Sequence, residues 1–403
     1  MTPRGMTGLA MIMGLFTLLP AAEALADGGV VVRQTPRHTP LPAAGVPMRN
    51  RLAAPPDNEV KADNAPDPRA GGASRLPAVS ASTRAYGSFG IPYTSVRVQD
   101  GPPAGSANQA NRLSTTYPYR TIGRVVFQYN GGQAHCSASL IMRSVLVTAA
   151  HCAGDLGSNA LFSGWTFRPG FYGPNGSTPQ QQEPFGAWTT EAVAVAPTWL
   201  NGKDTGSGAA RNNDLAVFIV SKNNGQFIGD MVGWMGYGWN NFSFTRSAKT
   251  RSMWTGATTT LGYPGLMDFG SIMQRADGPS FLTTVRRAKQ IWQGNNFTQG
   301  SSGGPWVVNF GYRAADLNGG AQPGAASAMN VVVGVTSWGS LDPNIIKDNY
   351  SSQFGQNKEY PGKDYGGYGA GNIGALLQAL CSSAPVPGGP SYAALGYCNS
   401  SFN

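Results

Sequence analysis

Charged side chains are scarce in this chain: Asp, Glu, Lys and Arg make up 12% of its 403 residues, about half the usual share. The net charge of +9 is not gathered into a basic block with interleaved aromatics, which argues against nucleic-acid binding. Beyond the N-terminus no segment is long and apolar enough to span a bilayer. No Cys-x-x-Cys pair occurs among the four cysteines, so a zinc site is not indicated; neither a metal nor a cofactor is expected. Histidine is scarcer still, with only His38, His135 and His151, so any imidazole chemistry rests on one of three side chains. Glycine, by contrast, occurs 55 times. It disfavours helix, and loop-rich β structure fits the composition better.

Residues 1–26 read as a secretory signal. Arg4 is the charged start, 9–19 a short apolar run, and Ala24-Leu25-Ala26 a small-x-small cleavage site. The run is too short to act as a membrane anchor of ~20 residues. Export to the extracellular or periplasmic space permits disulfides, and four cysteines leave three pairings open. From 27 to about 93 the chain is interrupted by Pro36, Pro40, Pro42, Pro47, Pro55, Pro56, Pro66 and Pro68. It lacks the apolar periodicity of a core and reads as a propeptide or disordered linker. A Gly/Pro/Ser/Asn stretch over 98–114 reads as an entry loop.

Strand patterns follow at 121–128, 134–142, 145–149, 189–195, 215–220, 306–309 and 331–337. Turn residues separate them at short intervals, as in antiparallel barrels. Ile373, Leu376, Leu377 and Leu380 have helical spacing and predict a helix over 372–381, packed on the second half of the fold. Segments 311–329 and 339–371 read as long loops of the kind that carry specificity or act as lids.

Three strings carry chemistry. They are Val147-Thr148-Ala149-Ala150-His151-Cys152, Asn213-Asp214-Leu215-Ala216-Val217 and Gly300-Ser301-Ser302-Gly303-Gly304-Pro305. A serine hydroxyl is a weak nucleophile at neutral pH and needs a base, and the base needs a fixed tautomer. Ser302 is the candidate nucleophile, His151 the base and Asp214 the orienting carboxylate. The glycines around Ser302 allow a sharp turn, and the N–H groups of Gly300 and Ser302 can face a developing oxyanion. Alone, each string has a bland reading: a flexible loop, a structural histidine, the start of a buried strand. All three in this order favour acyl transfer through a covalent intermediate.

These strings resemble those of the trypsin-like, chymotrypsin-fold serine endopeptidases, whose pattern is Thr-Ala-Ala-His-Cys, Asp-Leu-Ala and Gly-Asp-Ser-Gly-Gly-Pro. Further strings resemble the bacterial glutamyl-endopeptidase branch: Tyr117-Pro118-Tyr119-Arg120-Thr121-Ile122-Gly123, Phe167-Arg168-Pro169-Gly170, Trp234-Met235-Gly236-Tyr237-Gly238 and Gly262-Tyr263-Pro264-Gly265. The resemblance covers about 117–339. It implies an all-β fold of two packed antiparallel six-stranded β-barrels with a C-terminal helix. The protease domain would then span 94–403: a first barrel at about 117–225, a second at about 226–381, and a tail at 382–403 stapled by a disulfide. It also implies a Cys136–Cys152 bridge, which leaves Cys381 to pair with Cys398.

One departure stands out. Ser301 replaces the Asp that in the trypsin branch receives a new terminal amine and shapes the oxyanion hole. A serine cannot form that ion pair. The resemblance further implies that Thr336-Ser337-Trp338-Gly339 is the substrate-binding strand, pairing with an extended peptide. The primary pocket would lie between it and Asn296-Phe297-Thr298-Gln299. Asn296, at the pocket base, is neutral, and Ser337 stands where the glutamyl branch has a His. Cleavage after an uncharged residue is therefore expected. So is a monomeric, secreted zymogen acting on proteins or peptides, free of the membrane once the signal is removed, with a mature start between about 89 and 116. The competing readings are a catalytically silent binding protein on the same fold and an esterase. An α/β-hydrolase esterase needs its histidine after the nucleophile, and none follows Ser302.

Overall fold

The computed structural model describes residues 24–26, 29–42, 92–99, 113–174, 177–246, 253–311, 328–339 and 347–400. The apolar run 9–19 and most of 27–93 lie outside the described residues. Three short strands come first: β1 (Ala24–Ala26), β2 (Val30–Gln34) and β3 (Thr94–Arg97). Next come β4 (Ile122–Tyr129), β5 (Gly132–Met142), β6 (Val145–Thr148), β7 (Ser163–Pro169), β8 (Trp188–Val195) and β9 (Ala216–Val220). After the two-residue β10 (Gly236–Tyr237) follow β11 (Thr255–Gly262), β12 (Gln274–Val285), β13 (Ala288–Gly294), β14 (Pro305–Val308), β15 (Val331–Gly339) and β16 (Asp348–Gln353).

Two rings of strands close. The first runs β8-β7-β4-β5-β6-β9 and returns to β8; the second runs β15-β14-β11-β12-β13-β16 and returns to β15. Every pairing within the rings is antiparallel. The fold is thus two closed six-stranded β-barrels with a C-terminal helix, and closure removes the exposed edges of an open sheet. Local chemistry supports the strands. The β4–β5 hairpin turns on Asn130 (φ 47°) and Gly131 (φ 73°), the left-handed pair that a two-residue hairpin needs.

The two interiors differ. Barrel one is apolar, with Phe127, Leu140, Val147, Phe167, Phe218 and Ile219 buried. Barrel two buries a polar network. Thr258 and Ser280 share a hydroxyl hydrogen bond of 2.6 Å, Thr260 donates to Gln293 at 2.9 Å, and the Gln293 amide donates to the Thr258 carbonyl at 2.6 Å.

Three expectations are corrected. First, the proline-rich N-terminal stretch is not wholly a disordered linker. Val31 to Gln34 of β2 pair antiparallel with Val195 to Ala192 of β8, and Val30 and Val32 are buried. β7 pairs with β8 only at Thr189 and Trp188, so β2 fills the half of that edge that β7 leaves open. Second, 339–371 is not one long loop, because β16 lies within it and closes barrel two. Third, the helix Gly371–Ser382 packs against β2, β8 and β9 of the first barrel, not on the second. Its Ile373, Leu376, Leu377 and Leu380 are fully buried, each contributing about 2 kcal/mol. Leu376→Ala would cost roughly 2–5 kcal/mol there.

Cys136 is bonded to Cys152 and Cys381 to Cys398. The second bridge ties the tail to the helix end. There the Ser144 and Arg143 N–H groups donate to the carbonyls of Tyr397 and Asn399 at 2.9 Å each. Closing a loop of this length stabilises the fold by ~3 kcal/mol.

Candidate active site

The site sits at strand ends. β6 pairs with β9 so that Thr148 faces Ala216. His151 follows β6 on the single turn Ala150–Cys152, and Asp214 precedes β9, so the register alone sets them side by side. His151 Nδ1 lies 2.9 Å from Asp214 Oδ2, and the His151 N–H donates to Oδ1 at 3.0 Å. The Ser337 hydroxyl donates to Oδ2 at 2.6 Å. Burial opposes the charge on both groups. For His151 the charge and hydrogen bond of Asp214, helped by Asp155, outweigh burial and raise its pKa above the ordinary imidazole value. For Asp214 the His151 charge and the three hydrogen bonds outweigh burial and hold its pKa below the carboxylate range. With Nδ1 donating to the carboxylate, Nε2 is left as the acceptor, and it has no hydrogen-bond partner.

Asp204 fixes the approach to Asp214. It is the only other acid in the stretch between β8 and β9. Its Oδ1 accepts the N–H groups of Gly206 and Asn212 at 2.8 and 2.9 Å, and its Oδ2 accepts that of Asn213 at 2.8 Å. Asn372, in the first turn of the C-terminal helix, donates to the Asn212 carbonyl at 3.0 Å. Sequence reasoning missed Asp204 and Asn372, because neither sits in a recognisable string.

Ser302 precedes β14, with its carbonyl 3.8 Å from Sγ of Cys152, the residue after His151. The loop around it is held by its carbonyls. Gln299 O accepts from the Gly265 N–H at 2.6 Å, and Ser301 O from the Gly304 N–H at 2.8 Å. Gly300 O accepts from Ser137 Oγ at 2.8 Å, and Ser302 O from the Ser137 N–H at 2.8 Å. In a planar trans peptide the C=O and the next N–H point opposite ways. Pinning Gln299 O and Ser301 O therefore aims the N–H groups of Gly300 and Ser302 away from the protein. Among the described residues neither N–H has an acceptor. Glycine is obligatory at 303: its φ is 78°, and a Cβ would lie 1.9 Å from Thr148 Oγ1.

The residues expected to bind substrate divide. Asn296 is partly buried, with an unpartnered, buried Oδ1. Phe297 is buried, and Thr298 Oγ1 accepts the Leu266 N–H at 3.1 Å. Trp338 stacks on Tyr350 with ring centroids 3.9 Å apart and donates Nε1 to Gln290 at 2.9 Å. Two side chains do not line a pocket as expected. Thr336 turns its hydroxyl to the Gly304 carbonyl at 3.2 Å and accepts from Trp306 Nε1 at 3.0 Å. Ser337 spends its hydroxyl on Asp214. The Thr336 backbone is also used internally, with its N–H to Gly304 O and its C=O from the Gly303 N–H. The backbone edge of β15 that its neighbours on this side leave open therefore starts at Ser337. Asn349, buried on β16, ties the expected pocket segment together, a role the sequence did not reveal. Its amide donates to the carbonyls of Asn295 and Phe297 at 3.1 and 3.2 Å. Its Oδ1 would lie 2.4 Å from a Cβ on Gly339, so position 339 stays a glycine.

Cys136, His151 and Cys152 place potential metal-ligand atoms within 4.8 Å of one another, but both sulfurs are in the disulfide and neither is a thiolate.

No family model and no curated protein matches this chain. Among solved structures it is similar to the protease Anisep from Arthrobacter nicotinovorans, at 22% identity and a TM-score of 0.43, over 60% of this chain and 94% of that one. It is similar to a thermostable serine protease, AL20, from an extremophilic microorganism, at 21% identity and a TM-score of 0.43, over 59% and 92%. It is also similar to a Glu endopeptidase in complex with MPD, at 17% identity and a TM-score of 0.40, over 62% and 93%.

Proposed function

We propose that this protein is a serine endopeptidase that cleaves peptide bonds through an acyl-enzyme. The observation that carries the reading is the Asp214–His151 pair with a free Nε2, next to a Ser302 loop whose carbonyls are all held while two N–H groups stay open. Ser302 Oγ attacks the scissile carbonyl carbon as His151 Nε2 takes its proton. The oxyanion formed is bound by the N–H groups of Gly300 and Ser302. The C–N bond then breaks, and the proton on Nε2 leaves with the amine. Water, deprotonated by the same nitrogen, attacks the acyl ester and returns Ser302. Asp214 fixes the tautomer and stabilises the imidazolium in both halves.

An extended peptide would pair with the backbone of Ser337–Gly339 as an added strand. The carboxamides of Asn296 and Asn349 give the pocket no formal charge. A charged substrate side chain buried there would cost several kcal/mol, which favours cleavage after uncharged residues. The two disulfides fit an exported protein, and no helix among the described residues is long and apolar enough to cross a membrane. Ser302→Ala should lower peptide turnover by ~10⁶, with Ser301→Ala close to wild type. Equal losses in the two variants would contradict the assignment.

A further inference from the structure

The Ser302 loop must be held, yet Ser301 does not reach outside it. Its N–H and hydroxyl both donate to the Thr298 carbonyl, at 3.2 and 2.7 Å. The anchor comes from beneath. His135, on β5, is 5% exposed. Its Nδ1 lies 3.1 Å from Nη2 of Arg124, and its Nε2 lies 3.2 Å from the Tyr263 carbonyl. A guanidinium only donates, so Nδ1 accepts and the proton sits on Nε2, aimed at Tyr263. The Tyr263 N–H in turn donates to Ser137 Oγ at 2.9 Å, and that hydroxyl donates to the Gly300 carbonyl. Two residues on, Gly265 holds the Gln299 carbonyl. Gly300 rests on the imidazole itself: a Cβ there would lie 2.4 Å from His135 Nε2.

Arg124 makes this arrangement unusual. It is 5% exposed and faces Arg168 across the β4–β7 pair. The carboxylate at hand, Glu183, is taken by Arg168 at 2.5 Å. Arg124 has no ion pair among the described residues. Its contacts are His135 and the ring of Phe171, 5.2 Å from the guanidinium carbon. A guanidinium kept in the interior without a counter-ion is costly, and hydrophobic packing alone would not select it.

We propose that Arg124 is a positioning residue for the oxyanion loop, acting through His135 and Tyr263, and from there through Ser137 on the Gly300 carbonyl and Gly265 on the Gln299 carbonyl, to hold Gly300 with its N–H toward the substrate. The buried network does, from within the barrel interface, what position 301 cannot do without a carboxylate. The proposal rests on the reading of Ser302 as nucleophile.

The test compares one peptide in three forms: as substrate, as an aldehyde that bonds reversibly to Ser302, and as an alcohol that binds without a bond. Only the first two place an oxyanion against Gly300. Arg124→Met should lower kcat about 100-fold, the scale for a misplaced or lost oxyanion donor. Aldehyde affinity should weaken by the same factor, while KM and alcohol affinity stay within about threefold. His135→Gln, which still offers an N–H to Tyr263 and an acceptor to Arg124, should keep kcat within about tenfold of wild type, and His135→Leu should fall with Arg124→Met. An unchanged kcat in Arg124→Met overturns the proposal, as does loss of alcohol and aldehyde affinity together. If Arg124→Met does not fold, the His135 pair decides: Gln well above Leu supports the proposal, and equal kcat overturns it. A wild type without Ser302-dependent turnover would instead overturn the protease reading, whereas Ser302-dependent turnover indifferent to Arg124 overturns only the positioning role.

Discussion

His135 should make this protein unfold in acid, and replacing it with Gln should remove much of that sensitivity. The imidazole is buried, and burial first, then the charge of Arg124, push its pKa down from 6.5 to about 3, against a smaller opposing effect of the Tyr263 carbonyl. Above pH 6.5 neither the folded nor the unfolded chain protonates this side chain. Below it the unfolded chain takes up a proton that the folded chain refuses. Stability then falls by about 1.4 kcal/mol per pH unit until the folded value is reached. Between pH 7 and pH 4 the loss from His135 alone is about 3 kcal/mol, a large part of the 5–15 kcal/mol typical of a domain. The assay is urea unfolding at several pH values, followed by tryptophan fluorescence in a Ser302→Ala background that cannot digest itself. His135→Gln should start lower at pH 7, because its fit is imperfect, and then lose about 3 kcal/mol less than the parent by pH 4. Parallel pH slopes for the two proteins would refute the account of a neutral, Arg124-capped imidazole.

Three further outcomes follow from named contacts. The acid limb of kcat/KM should lie above the ordinary imidazole value of 6.5, because Asp214 and Asp155 raise His151. Asp155→Asn should move it down, and an unmoved limb would contradict that assignment. Asp204→Ala should cost about 3 kcal/mol or more in thermal unfolding, since it strands three buried N–H donors. A cost below about 1 kcal/mol would mean that the loop before Asp214 is held elsewhere. Proteolytic nicking between residues 43 and 91 should leave the peptide containing Val30–Gln34 bound through β8 in size-exclusion chromatography; its release with the two barrels intact would show the strand to be dispensable.

The parts of this fold that were readable in the sequence are those where apolar periodicity or a chemical string was present. The predicted strands at 121–128, 134–142, 145–149, 189–195 and 215–220 correspond to β4, β5, β6, β8 and β9, which bury mainly Val, Ile, Leu, Phe and Ala. Strands β11, β12, β13 and β16 were not seen because they bury Thr, Ser, Asn and Gln among their apolar residues, and in β11, β12 and β13 Thr258, Thr260, Ser280 and Gln293 satisfy one another. A hydropathy pattern cannot distinguish such a strand from a loop, and Gly278 and Pro279 inside β12 add turn signals. The Val30–Gln34 strand was hidden by its prolines, which begin immediately after it. The side-by-side placement of His151 and Asp214 was legible from their strings. The contacts of Asp204, Ser137, His135 and Arg124 were not, because none of the four sits in a string that carries chemistry, and the backbone partners of Ser137 and His135, Gly300 and Tyr263, are distant in sequence. Ser337 was assigned to the pocket by resemblance, yet its hydroxyl faces the carboxylate: a strand residue's position does not reveal which partner its side chain finds.

The central claim is that Ser302 is an activated nucleophile, and covalent labelling tests it most directly. Wild-type protein treated with a fluorophosphonate should gain one phosphonyl group, and peptide mapping should place it on Ser302. The labelling rate should fall steeply in His151→Ala and as pH drops through the His151 titration. Absence of labelling, a label on Ser301, or a rate indifferent to His151 would contradict the account.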